Sequence, residues 1–120
     1  MALCLLVDDS STQRKIMCKL AQGCGLEIEE AENGLKAVEF CENTMPDMII
    51  LDMNMPEMDG IGFLNALDDI PKDFSPHIIV CSADIDTDLI VKAVKAGADE
   101  YHCKSMDINN LRQKIAAYSG

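Results

Sequence analysis

The chain has no Trp, only 4% aromatic residues, and 10 basic residues against 21 acidic ones. Too few Lys and Arg are present to grip nucleic acid, whose phosphates are held by clustered cations. The formal net charge of −11 argues equally against an anionic membrane surface. No apolar run approaches the roughly 20 residues needed to span a bilayer, so no membrane insertion is expected. Met1 to Val7 is apolar but short, lacks a basic start and is cut off at once by Asp8 and Asp9. It reads as a buried strand rather than an export signal. No two of the six Cys have CxxC spacing, which disfavours paired zinc ligands. With no export signal, this points to the reducing cytoplasm. A chain of 120 residues can bury roughly two-thirds of its surface, so it needs neither disulfides nor a structural metal. One domain over 1–120 is expected, without an output module.

Three short continuous apolar runs are present: Leu3 to Val7, Met48 to Leu51 and Ile78 to Cys81. Each is too short for a helix, and each reads as a strand covered on both faces. Leu26 to Glu29 and Asp99 to Cys103 are more polar and suit the two edges of a sheet. Between them lie stretches with helical spacing: Ile16, Leu20 and Cys24; Val38, Cys41 and Met45; Leu89, Ala93 and Gly97; and Leu111, Ile115 and Tyr118. The segment Ile61 to Ile70 is expected to be helical as well. Ser10 or Ser11, Asp86 or Thr87, and Asp107 supply helix starts, and Gly23 and Gly25 a stop. Five strands alternating with five helices cannot form hairpins. The sheet must be parallel, with right-handed crossovers placing helices on both faces. The fold class is α/β: a doubly wound, five-stranded (βα)5 sheet of flavodoxin-like order 2-1-3-4-5.

In such sheets ligands bind beyond the carboxyl ends of the strands. Strand one ends in Asp8 and Asp9, strand three in Asp52, strand four in Ser82 and strand five in Lys104. That rim gathers three carboxylates, a hydroxyl and an ammonium, and the mutual repulsion of the acids calls for a neutralising group. Hard oxygen ligands without His or thiolate point to Mg2+, which pairs with phosphate oxygens. The chemistry this suggests is attack on phosphorus by a carboxylate oxygen of Asp52. Metal, Ser82 and Lys104 would balance charge on the equatorial oxygens. Taken singly, an acid pair after a strand is more often a solvated cap, Ser82 an ordinary turn or cap residue and Lys104 a solvated charge. The weight lies in their common placement at strand ends.

The segments Val7-Asp8-Asp9-Ser10, Ile49 through Asp52-Met53-Asn54-Met55-Pro56-Glu57-Met58-Asp59-Gly60, Ser82-Ala83 and Lys104 resemble the receiver domain of two-component response regulators, and the match runs the length of the chain. The resemblance implies that Asp52 is the phosphoacceptor. It also implies that Asp9 and Asp52 bind Mg2+ directly, Asp8 through water and Asn54 through its main-chain carbonyl, with Ser82 and Lys104 on the phosphoryl oxygens. A switch is implied in which Ser82 moves toward the phosphoryl group and Tyr101 turns inward, altering the face of helix four, strand five and helix five. A half-buried edge aromatic accounts for the spacing of Tyr101 equally well. Asn54 and Asp84 would flank the path of the hydrolytic water and so tune dephosphorylation.

The expected partners are a sensor histidine kinase or histidine phosphotransfer protein, read by helix one around Thr12 to Lys19, and a downstream protein target. The chain is expected to act as a monomer. It is expected to catalyse only its own phosphorylation and dephosphorylation, either in chemotaxis signalling or as a phosphorelay intermediate or cell-cycle regulator that engages kinases. One departure stands out: Ser105 follows Lys104 where the family usually has a cis Pro. A cis bond there costs about 2.5–4 kcal/mol. The loop is therefore either strained or trans with Lys104 aimed differently, and a degenerate, phosphorylation-independent receiver is the corresponding alternative. A haloacid dehalogenase-type phosphohydrolase would need an acid at Asn54, and a flavodoxin would need a phosphate loop and stacking aromatics, so both are disfavoured. Met53, Met55, Met58, Cys81 and Cys103 read as core filling. His77 and His102 have no ligand spacing.

Overall fold

The computed structural model describes residues 2–55, 58–83, 85–104 and 108–119. Strands β1 (Leu3–Val7), β2 (Glu27–Ala31), β3 (Met48–Asp52), β4 (His77–Ser82) and β5 (Glu100–Cys103) alternate with helices α1 (Ser11–Gly23), α2 (Gly34–Asn43), α3 (Gly60–Asp68), α4 (Thr87–Lys95) and α5 (Ile108–Ser119). All neighbouring strands are parallel, in the order β2-β1-β3-β4-β5. This is the doubly wound sheet expected from the alternation of short apolar runs with helical segments. Element ends shift by a residue or two where the polar strand ends join the ladder, as Asp52 does in β3.

The period-2 geometry of the strands explains why β1, β3 and β4 are apolar throughout. Leu5, Val7, Ile49, Leu51, Ile78 and Val80 face one way, onto Ala37, Cys41, Phe63, Leu64, Leu67 and Ala93 of α2, α3 and α4. Cys4, Leu6, Met48, Ile50, Ile79 and Cys81 face the other way, onto Met17, Leu20 and Ala21 of α1 and Leu111 and Ile115 of α5. Full burial of each such side chain contributes about 1.5–3 kcal/mol relative to exposure. The two clusters thus clamp the central strands from both sides and hold their carboxyl ends at one edge.

The apolar faces of α1 and α5 differ from expectation, and on α5 Tyr118 is 40% exposed. In α1 the buried stripe is Met17, Leu20 and Ala21, whereas Ile16 is 42% exposed. The i, i+3, i+4 stripe starting at Met17 sets the phase of the helix, which turns Ile16 outward. Ser10 caps α1 by accepting from the Gln13 amide at 3.2 Å, and Asp86 caps α4 by accepting from Leu89. Gly25, at φ +82°, makes the left-handed turn from α1 into β2. Asp107, expected to open the last helix, lies outside the described residues.

Candidate functional site

Sheet topology brings the carboxyl ends of β1, β3, β4 and β5 to one edge. Asp8 follows β1 directly and is 2% exposed, Asp52 closes β3 at 5%, and Ser82 closes β4 at 3%. Lys104 follows β5, and its amide donates to the Ser82 carbonyl at 2.7 Å, which fixes the start of the loop against β4. Its side chain crosses to the acids: Nζ lies 3.2 Å from Asp8 Oδ2 and 3.3 Å from Asp52 Oδ1. Asp8 Oδ1 accepts from the Ser10 amide at 2.9 Å, and Asp52 Oδ1 accepts from the Asn54 amide at 3.2 Å. Asp9 is exposed beside them.

The local backbone is built to hold this arrangement. Gly60, the first residue of α3, packs so closely that an added Cβ would stand 2.6 Å from Met53 Sδ and 2.9 Å from Met53 Cα. Only glycine lets α3 begin against the turn that carries Asp52, Met53 and Asn54. Asp59 then caps α3 by accepting from the Gly62 amide at 2.8 Å. Met53 is buried, and Met55 and Met58 pack against the α2–α4 side of the core, so these methionines fill space as expected. Cys81 and Cys103 are also buried, and burial raises the Cys81 thiol to about 12. That removes thiolate character from its neighbourhood of the site.

Electrostatically the site is short of positive charge. Burial raises the pKa of Asp52; the Asn54 amide and Lys104 oppose the rise without cancelling it, and Asp8 adds to it. For Lys104, burial alone would lower the pKa, but Asp52 and Asp8 outweigh it and the ammonium is held firmly charged. One carboxylate oxygen from each of Asp8, Asp9 and Asp52 lies within 4.8 Å of the other two. Oxygens bound to one octahedral Mg2+ lie about 3–4 Å apart, so small side-chain movements bring the three onto a common ion. The donor set is all hard oxygen, which suits Mg2+.

Other expected residues fall in place or apart as follows. Asn54 is exposed at the mouth of the site, and Tyr101 is half-buried in β5 against the α2–α4 side of the core. Asp84 and Ser105 lie outside the described residues, so the geometry of the Lys104-Ser105 peptide is not described. His77 is at the opposite edge of the sheet, where it stacks on Tyr118 at 4.8 Å and meets Glu100 at 2.7 Å. His102 is buried in β5, and its Nδ1 has no partner among the described residues. One residue near the site was not singled out from the sequence. Arg14 donates through Nη1 to the Asp8 main-chain carbonyl at 2.6 Å and through Nε to Glu30 Oε1 at 3.1 Å.

A parallel α/β sheet with a buried acid after its third strand, an acid pair after its first and a lysine reaching across from its fifth defines a class of carboxylate sites suited to a divalent cation and a phosphoryl group. The chain belongs to the response regulator receiver domain family, whose model it matches over residues 4–116. It is 34% identical over 112 residues to the chemotaxis protein CheY of Listeria monocytogenes, covering 92% of each chain. It is 38% identical to the chemotaxis protein CheY of Halobacterium salinarum, covering 93% of this chain and 92% of that one. The chemotaxis response regulator CheY4 of Vibrio cholerae superimposes with a TM-score of 0.89 at 26% identity over 98% of both chains.

Proposed function

We propose that this receiver takes a phosphoryl group from a histidine kinase or histidine phosphotransfer protein onto Asp52, in a Mg2+-dependent reaction that it catalyses on itself. The observation that carries this reading is the convergence of Asp8, Asp9 and Asp52 with a single ammonium, Lys104, 3.3 Å from the acceptor carboxylate. Asp8, Asp9 and Asp52, with the Asn54 carbonyl, would hold Mg2+. When bound, Mg2+ supplies charge neutralisation for the incoming phosphoryl oxygens. Asp52 provides the nucleophilic oxygen, and its protonated form is unreactive. Lys104, firmly charged, moves from carboxylate to phosphoryl oxygen, and Ser82 donates a hydroxyl to another. Asn54, at the mouth, holds water near the acyl phosphate, and with Asp84 it sets the rate of hydrolysis.

The charged group so formed biases a two-state packing around Ser82 and Tyr101, which is read on the α4, β5 and α5 face. Exposed Ile85, Val91 and Val94 on and just before α4 offer apolar contact for a downstream protein. Exposed Ile16 and neighbouring Lys15 and Lys19 on α1 offer contact for the phosphodonor. The likeness to chemotaxis proteins favours a chemotaxis target. No helix among the described residues is long and apolar enough to cross a membrane.

Intact-protein mass after incubation with acetyl phosphate tests the core of this reading. A phosphoryl adduct that requires Mg2+ and is absent from Asp52→Asn is expected. No adduct from either acetyl phosphate or a phosphorylated kinase would instead assign the chain to the phosphorylation-independent receivers.

A further inference from the structure

Asp8 and Asp9 share one planar peptide unit, so whatever fixes the Asp8 carbonyl also fixes the N–Cα bond from which the Asp9 side chain is placed. That carbonyl accepts the 2.6 Å hydrogen bond from Arg14 Nη1, while the Asp8 amide donates to the Ala31 carbonyl at 3.2 Å. The guanidinium is itself held from the other side by Glu30, the residue before Ala31, through Nε at 3.1 Å. The Arg14 side chain is 17% exposed and that of Glu30 47%. A planar fork satisfies both acceptors at once, whereas an ammonium is a point charge on a flexible stem and lacks that fixed fork. Asp9, by contrast, is exposed, and nothing buries its side chain in place.

We propose that Arg14 is a positioning residue: by clamping the Asp8–Asp9 peptide to α1 and β2 it presets the carboxylates for Mg2+ and sets the affinity of the site. This rests on the reading of Asp8, Asp9 and Asp52 as the metal site. The arrangement has the form of other supporting contacts behind metal ligands, whose removal typically weakens binding about 10–100-fold. It also makes a prediction opposite in sign to simple electrostatics. Removing a cation beside three carboxylates should by itself tighten Mg2+ binding, whereas losing the clamp should weaken it.

Titration of the protein with MgCl2, followed by calorimetry and by the amide resonances of Asp9 and Asn54, tests the proposal alongside thermal unfolding without Mg2+. Arg14→Gln is expected to weaken Mg2+ binding about tenfold. Arg14→Lys, which keeps the charge, is expected to weaken it nearly as much. Should Arg14→Gln fail to fold, Arg14→Lys and Glu30→Gln carry the test, the latter with a smaller weakening. Unchanged or tighter binding in the folded Arg14 variants, with only a fall in unfolding temperature, would overturn the proposal and leave a structural role. If the wild type binds no Mg2+, the metal-site reading falls and this inference falls with it. Binding by the wild type and equal binding by the variants removes this inference alone.

Discussion

Lys104 Nζ stands 3.3 Å from Asp52 Oδ1, so the proposed acceptor carboxylate already has a cation on it. The same ammonium touches Asp8. On the proposed function, Lys104 would compete with Mg2+ for the carboxylates and later contact phosphoryl oxygen. Lys104→Met separates the two roles. Mg2+ affinity is expected to rise several-fold, because a competing cation is gone, while the yield of phosphoryl adduct from acetyl phosphate falls by about tenfold or more. A variant that lost Mg2+ binding would show that Lys104 supports the site rather than competes for it.

Asp52 is a destabilising acid in the folded chain at neutral pH. Burial raises its pKa above the ordinary 3.8, so its contribution to stability is complete below that value and is lost as pH rises through the higher folded value. Without Mg2+, Asp52→Asn is expected to unfold a few degrees above wild type at pH 7, with the gap closing toward pH 4. Added Mg2+ stabilises wild type by mass action and stabilises the variant less. Thermal unfolding across pH, with and without MgCl2, reads both effects.

His102 behaves in the opposite direction. Burial, helped by Lys114, holds its pKa below the ordinary 6.5, and Nδ1 is buried without a partner among the described residues. Its neutral form suits the fold, and stability is lost as pH falls from 6.5 through the lower folded value. His102→Val removes a buried polar atom without a partner among the described residues and should stabilise the domain by about 1–2 kcal/mol at neutral pH. The gain should widen below pH 6.5 in urea unfolding. A loss of stability at every pH would mean that the imidazole contributes packing that Val cannot replace.

Gly60→Ala tests the close approach of α3 to the acceptor turn. The new methyl must displace Met53, which is itself 3% exposed and part of the core. A destabilisation of about 1–3 kcal/mol is expected in urea unfolding. Lowered Mg2+ affinity should accompany it, since Met53 lies between Asp52 and Asn54. Unaltered stability would show that the turn can yield without cost.

The sequence made the sheet legible because its strands are short and doubly covered, so that Leu3 to Val7 and Met48 to Leu51 could be neither helices nor half-exposed strands. Each ends abruptly in polar residues, which put Asp8, Asp52, Ser82 and Lys104 at a common edge once the connections were known to be parallel. The helix phase was harder: Ile16 and Met17 are adjacent apolar residues, and only three-dimensional packing decides which one faces the core. Arg14 was missed because an arginine in the first turn of a helix is ordinary in sequence. Its meaning comes from the carbonyl of Asp8 and from Glu30, a residue on another strand. The His102 nitrogen that has no partner among the described residues was hidden for the same reason, since an edge strand does not reveal which of its polar residues turns inward.

The hydrogen bond from the Lys104 amide to the Ser82 carbonyl, and the reach of its side chain to Asp8, tie the end of the last strand to the ends of β4 and β1. A chain still emerging from the ribosome therefore carries its acidic residues for most of its synthesis without the lysine that offsets them. The ammonium reaches Asp8 and Asp52 only when β5 docks, after the other four strands have been made. The balance of charge at this edge is thereby set last, once all five strands are in place.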